Sequence, residues 1–228
     1  MLQTYVSNPD EPNPYGTTVA PQINAQYHQH IFSVRIDPMV DGLQNSVVET
    51  DVITSPARLG SDANFAGNAF GIRNQILQVE GARDYDWAKD RRWTIVNPAR
   101  KHYASGHNVG YGVSVKGGLV PLLAQDGSWI SQRARFATKP LWVVKEKEVE
   151  GKGTQRMWPA GKYVPQGRGE QSDTIGKWVS ESGNVEAEDI IVFVSFGESL
   201  PRSLCDEKVS CSPLVGVTHI PRPEDFPV

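Results

Sequence analysis

The stretch Tyr27-His28-Gln29-His30-Ile31-Phe32-Ser33-Val34-Arg35-Ile36-Asp37 has the two-residue period of an extended strand. His28, His30, Phe32, Val34 and Ile36 alternate with Gln29, Ile31, Ser33, Arg35 and Asp37, so the two histidines project from one face. Pro38 ends the run and Asp41-Gly42 supplies a turn. Ser46 to Thr54 then reads as the return strand of a hairpin. Further strands are expected at Trp93 to Val96, Val109 to Val115, Arg133 to Thr138, Leu141 to Lys145 and Ile190 to Phe196. Helical periodicity is confined to Asn74 to Val79 and Tyr85 to Arg92, each long enough for a short turn only. Gly (21) and Pro (16) are spread along the chain and punctuate these runs, as in an all-β protein with many turns.

Composition narrows the class. With 39% hydrophobic and 21% charged residues among 228, the chain has the make-up of a globular, core-forming sequence, and its length allows one large domain or one and a half. A net charge of -3 gives no global basic field, so nucleic acid or anionic membrane as a partner would need a local patch. The longest mostly apolar stretch, Gly117 to Ala124, is broken by Pro121 and is far shorter than the roughly 20 residues that span a bilayer. The first residues lack the basic start and apolar block of a secretory signal, so a soluble chain is expected, with its compartment open. Cys205 and Cys211 are too few for a disulfide framework. The mixed-sign run Lys145 to Lys152 reads as a solvated edge or hairpin tip.

A strand that carries histidines at i and i+2 brings both imidazoles within reach of one metal ion, ordinary surface or buried histidines being the plain alternative. Among the remaining histidines, His102 and His107 lie in a Lys/Asn/Ser/Gly-rich loop where exposure explains them. His219 follows the apolar Ile190 to Phe196 run and precedes the rigid Pro221 to Pro227 segment. A cupin would need a Glu after three or four further residues, where this chain has Val34 and Arg35. The facial triad of non-haem iron oxygenases would need a carboxylate in place of His30. An all-imidazole site suits copper or zinc, and the donors alone do not choose between them.

The first stretch, continued by Asp41-Gly42 and Asn45-Ser46-Val47-Val48, resembles the signature of the copper-containing primary-amine oxidases. Thr218-His219-Ile220-Pro221-Arg222-Pro223-Glu224-Asp225-Phe226-Pro227-Val228 resembles the segment with that family's third copper histidine. Gly161 to Gln166 and Ile175 to Val179 read as family sequence as well. The resemblance implies an antiparallel β-sandwich catalytic domain, the amine oxidase supersandwich, dimeric in the family, with Cu(II) on His28, His30 and His219. It implies oxidative deamination of primary amines by dioxygen to aldehyde, ammonia and hydrogen peroxide. The organic cofactor is topaquinone, made from a tyrosine beside the copper, and an aspartate serves as the base. Asp37 and Asp189, with the Pro38 and Ile190 carbonyls, match positions at which family members hold a second, hard cation such as calcium. Met39 stands where some members have a further aspartate.

The chain departs from the family in two ways. The precursor tyrosine belongs to an Asn-Tyr-Asp/Glu motif upstream of the histidine pair, and none of the seven tyrosines here follows an asparagine. Tyr85-Asp86 comes nearest and lies downstream. The base would lie further upstream still. The expectation is therefore a partial catalytic domain over residues 1 to 228, incomplete at both ends and catalytically inactive by itself. A non-catalytic, β-rich copper-binding fragment or truncated gene product is the alternative. Second, the family runs from a pair like Phe196-Gly197 almost directly into the Thr-His of the third ligand, whereas here Glu198 to Gly216 intervenes. That polar, irregular stretch reads as an insertion or a retained intron: Gly197-Glu198-Ser199 can be encoded around a GTGAGT splice donor, and Val215-Gly216 before an AG acceptor. A surface loop closed by a Cys205–Cys211 disulfide is the competing reading. Substrate choice among amines is not legible.

Overall fold

The computed structural model describes residues 3–5, 14–20, 22–116, 121–149, 153–164, 173–200 and 214–219. Three short strands, β1 (Gln3–Tyr5), β2 (Gly16–Ala20) and β3 (Ile23–Gln26), form a small sheet in the order β1-β3-β2. Next come β4 (His28–Ile36), β5 (Ser46–Thr54), β6 (Phe70–Ile76), β7 (Gly81–Arg83), β8 (Arg92–Lys101) and β9 (Asn108–Lys116). They are followed by helix α1 (Trp129–Arg133), β10 (Leu141–Lys145), β11 (Glu148–Val149), β12 (Gly153–Thr154), helix α2 (Ile175–Trp178), β13 (Ile190–Leu200) and β14 (Leu214–His219). Every strand pairing is antiparallel. Four strands pair in the order β4-β13-β10-β7 and five in the order β14-β9-β8-β5-β6.

One apolar core joins these two sheets. Val47, Trp93, Ile95 and Val113 of the five-stranded sheet pack with Leu141, Val143, Val192 and Val194 of the four-stranded sheet. The opposite side of β10 and β13 is buried too, where Trp142, Val144, Ile191 and Phe193 meet Ile175 and Trp178 of α2. Burial on both faces explains why β10 and β13 read as continuous apolar runs rather than alternating ones. In the Lys145 to Lys152 run, Lys145 ends β10 and Glu148–Val149 form β11, which pairs with β12, while residues 150–152 lie outside the described residues.

The structure differs from the sequence reading at three places. β4 and β5 are not a hairpin: β4 pairs with β13, and β5 pairs with β6 and β8 in the other sheet. The intervening turn crosses between layers. Asp41 (φ 52°) and Gly42 (φ 130°) adopt positive φ there. Buried Asn45 accepts from Val40 N–H (3.1 Å) and donates to the Gly42 carbonyl (2.6 Å). In Asn74 to Val79, expected as a turn or helix, the first half, Asn74 to Ile76, belongs to β6, because pairing with β5 from Val48↔Ile76 to Thr54↔Phe70 satisfies its backbone. Arg133 to Thr138, expected as a strand, instead ends α1 and enters a 3-10 turn. Local side-chain bonds decide this: Ser128 Oγ accepts from Ser131 N–H, and Thr138 Oγ1 donates to the Arg135 carbonyl.

Candidate functional site at the His28–His30 face

β4 carries the histidine pair as the alternation requires. The ring centroids of His28 and His30 lie 4.8 Å apart, edge to face at 67°. His28 is half-buried and His30 exposed. His28 Nδ1 lies 2.8 Å from the Gln26 carbonyl oxygen. A carbonyl only accepts, so Nδ1 carries the proton and Nε2 keeps its lone pair. This is how a metal-ligating imidazole is usually held: one nitrogen fixed by a backbone acceptor and the other turned toward the ion. The donor set therefore fits a metal that takes neutral imidazoles.

Gln29, between the histidines and on the opposite face, anchors the strand. Its amide donates to Ser199 Oγ (2.9 Å) and to the Pro121 carbonyl (3.1 Å), and its Oε1 accepts from Leu123 N–H (2.7 Å). Phe32 stacks on Phe196 at 5.9 Å on the histidine face. Gly197, paired with Ile31, brings β13 so near that an added Cβ would overlap the His30 carbonyl oxygen. The sequence reading missed Gln29 and Gly197. A glycine inside a strand, next to Phe196, was the available signal for close backbone approach.

β13 runs on past Gly197 in regular register, with Glu198 opposite His30, Ser199 opposite Gln29 and Leu200 opposite His28. Three residues of the segment expected to be irregular are thus strand, and Leu214 to Gly216 begin β14. Cys205 and Cys211 lie outside the described residues. His219 ends β14 opposite Tyr111, whose ring packs on the core between the sheets. Among the described residues, no group of three or more His, Cys, Asp or Glu side chains is gathered closely enough to hold a metal ion. His102 and His107 sit in the β8–β9 connection, where His102 N–H donates to the His107 carbonyl at 2.8 Å.

Asp37 follows β4 and accepts from Arg35 at 2.9 Å, and the same guanidinium reaches Glu146 at 2.7 Å. Asp189 precedes β13, and its buried Oδ1 has no hydrogen-bond partner. Burial, together with the charges of Asp37, Glu146 and Glu148, pushes the Asp189 carboxyl above its ordinary value. Arg35 offsets part of this negative charge, and a hard cation would relieve the remainder. The sequence reading named Asp37 and Asp189; Glu146 and Glu148 come beside them through the β10–β13 pairing.

An antiparallel two-sheet sandwich with an imidazole pair on the edge strand β4 is the class of domain these features define. The family model described as "Copper amine oxidase, enzyme domain" matches residues 1–203. Copper amine oxidase 1 of Schizosaccharomyces pombe is 36% identical over 233 residues, covering 100% of this chain and 29% of the relative. A peroxisomal primary amine oxidase of Pichia angusta is 35% identical, covering 100% and 30%. The solved structure of a copper-containing benzylamine oxidase from Hansenula polymorpha superposes with a TM-score of 0.78 at 28% identity, over 95% of this chain and 32% of that one. The chain belongs to the copper amine oxidase family, a family of oxidoreductases. It spans just under a third of the length of the relatives it matches. No helix among the described residues is long and apolar enough to cross a membrane.

Proposed function

We propose that this chain is the copper-binding part of a primary-amine oxidase catalytic domain. His28 and His30 are copper ligands in this chain, His219 is the third ligand in the family's register, and residues 198–216 are an insertion relative to the family. The observation that carries the reading is the imidazole pair itself, 4.8 Å between centroids with the His28 Nε2 lone pair freed by the Gln26 carbonyl, inside the family match. Copper, when bound, would supply Lewis-acid and redox chemistry toward dioxygen. The chain's own residues orient it: Gln26 fixes the tautomer of His28, and Gln29 and Gly197 hold β4 against β13.

The family reaction is the oxidative deamination of primary amines by dioxygen, releasing aldehyde, ammonia and hydrogen peroxide, in a homodimer. Topaquinone does not fit the residues present, because no tyrosine in this sequence follows an asparagine. The chain by itself therefore binds copper and does not oxidise amines. Asp37 and Asp189 form a second, weaker site for calcium or another hard divalent cation, supported by the orphaned Asp189 Oδ1.

Titration of Cu(II) into the purified chain and into His28→Ala and His30→Ala variants tests the reading. Each variant is expected to lose affinity by more than about tenfold, or roughly 1.4 kcal/mol. Equal affinity in all three would remove the pair from the site. Peroxide release from a primary amine by the copper-loaded chain would refute the claim of inactivity.

A further inference from the structure

The pairing of β13 with β4 assigns a place to the third imidazole. In an antiparallel pair, positions directly opposite share a face, with Cβ atoms about 4.5–5.5 Å apart. The position opposite His28 thus stands on the face of the histidine pair, and in this chain it is held by Leu200. Leu200 lies three residues after Gly197, and His219 lies three residues after Gly216. Joining Gly197 to Val217 therefore carries Val217, Thr218 and His219 onto the positions of Glu198, Ser199 and Leu200, and brings His219 opposite His28.

The chemistry of the neighbouring position supports this register independently. Ser199 Oγ accepts from the Gln29 amide at 2.9 Å. After the shift, Thr218 stands there and offers a hydroxyl to the same amide. Val217, opposite His30, is a β-branched residue suited to a strand. With residues 198–216 present, the same Val-Thr-His triplet instead pairs with Val113, Gly112 and Tyr111 of β9, in the other sheet.

We infer that residues 198–216 decide whether the copper site has two imidazoles or three. The chain that carries them presents the pair alone, and the chain without them completes the site on a single strand pair. This rests on the copper reading above and adds to it where the third ligand stands.

The test compares Cu(II) affinity, by competition with a chelator, and the Cu(II) EPR spectrum for three proteins: the full chain, the chain lacking residues 198–216, and the full chain with Leu200→His. Both altered proteins are expected to bind more than about tenfold more tightly than the full chain, with EPR parameters of a site that has gained a nitrogen donor. His219→Ala is expected to abolish the gain in the shortened chain and to change nothing in the full chain. Should the shortened chain fail to fold, Leu200→His still probes the register position. No gain from Leu200→His overturns the inference, as does a His219→Ala loss in the full chain equal to that in the shortened one. That second result would leave the three-histidine reading standing. Insensitivity of all three proteins to His28→Ala and His30→Ala would instead remove the copper reading itself.

Discussion

Asp51 is charged yet sits at 2% exposure on the inner side of β5. It keeps its charge because Arg91 donates to it through Nε (2.8 Å) and Nη2 (3.0 Å), and Arg73 through Nη2 (2.9 Å). Neighbouring Glu49 accepts from Trp93 Nε1 at 3.0 Å and lies 3.2 Å from the Arg91 guanidinium. The bonds to Arg91 outweigh burial and lower the Asp51 pKa to about 2. A carboxyl lowered from 3.8 to about 2 stabilises the fold above pH 4 and loses that contribution as pH falls from about 4 toward 2. Asp51→Ala is expected to cost about 2–3 kcal/mol, because it leaves the largely buried Arg91 guanidinium with Glu49 as its one remaining carboxylate at hand. Urea unfolding at pH 7 and pH 3 checks both parts: the wild-type advantage over the variant should be large at pH 7 and shrink at pH 3. An advantage unchanged between the two would mean that the carboxylate charge contributes nothing. None of this cluster was legible beforehand, because Glu49, Asp51, Arg73 and Arg91 meet only once β5, β6 and β8 are paired.

At the scale of elements, legibility followed how much of a strand's environment is local. β4 and β5 were readable to within a residue because alternation or a β-branched run marks them. Their partners were not, since nothing in Pro38 to Gln44 tells a hairpin from a crossing between sheets. β6 was misread because its exposed Phe-Gly-Ile-Arg-Asn-Gln-Ile has no buried face to impose a period. The histidine pair came straight from alternation, whereas Glu146 and Asp189 become neighbours only through the approach of β10 to β13. The buried, unpartnered Asp189 Oδ1 predicts a cation response. Calcium is expected to raise the melting temperature of the chain by a few degrees, roughly 1 kcal/mol at Tm. Asp189→Asn, which removes a charge without removing bulk, should abolish the shift and slightly stabilise the metal-free chain. A calcium shift that survives Asp189→Asn would place the ion elsewhere. Arg35 competes for Asp37 and Glu146, so Arg35→Gln is expected to enlarge the calcium shift.

For the whole molecule, the question is what the proposed insertion at residues 198–216 does to the chain. Up to Gly197 the chain keeps family register, and the family match ends at residue 203, inside that segment. Thr218-His219 and the Pro-rich run after it are where the sequence again resembles the family. The outer face of the five-stranded sheet leaves Phe70 and Ile72 largely exposed, and the described core between the sheets is drawn from residues between Val40 and Val194, all of them before the segment. A stretch that stands between Gly197 and Val217 and whose codons can hold a splice donor and acceptor is expected to be removed from part or all of the message. Sequencing transcripts across this point should recover molecules in which the Gly197 codon joins that of Val217, a loss of nineteen codons that keeps the frame. Translation of such a message gives the shortened chain that we propose has three imidazoles at its copper site. Transcripts that all retain the segment would make it a loop of the polypeptide, and His219 would then remain in β14.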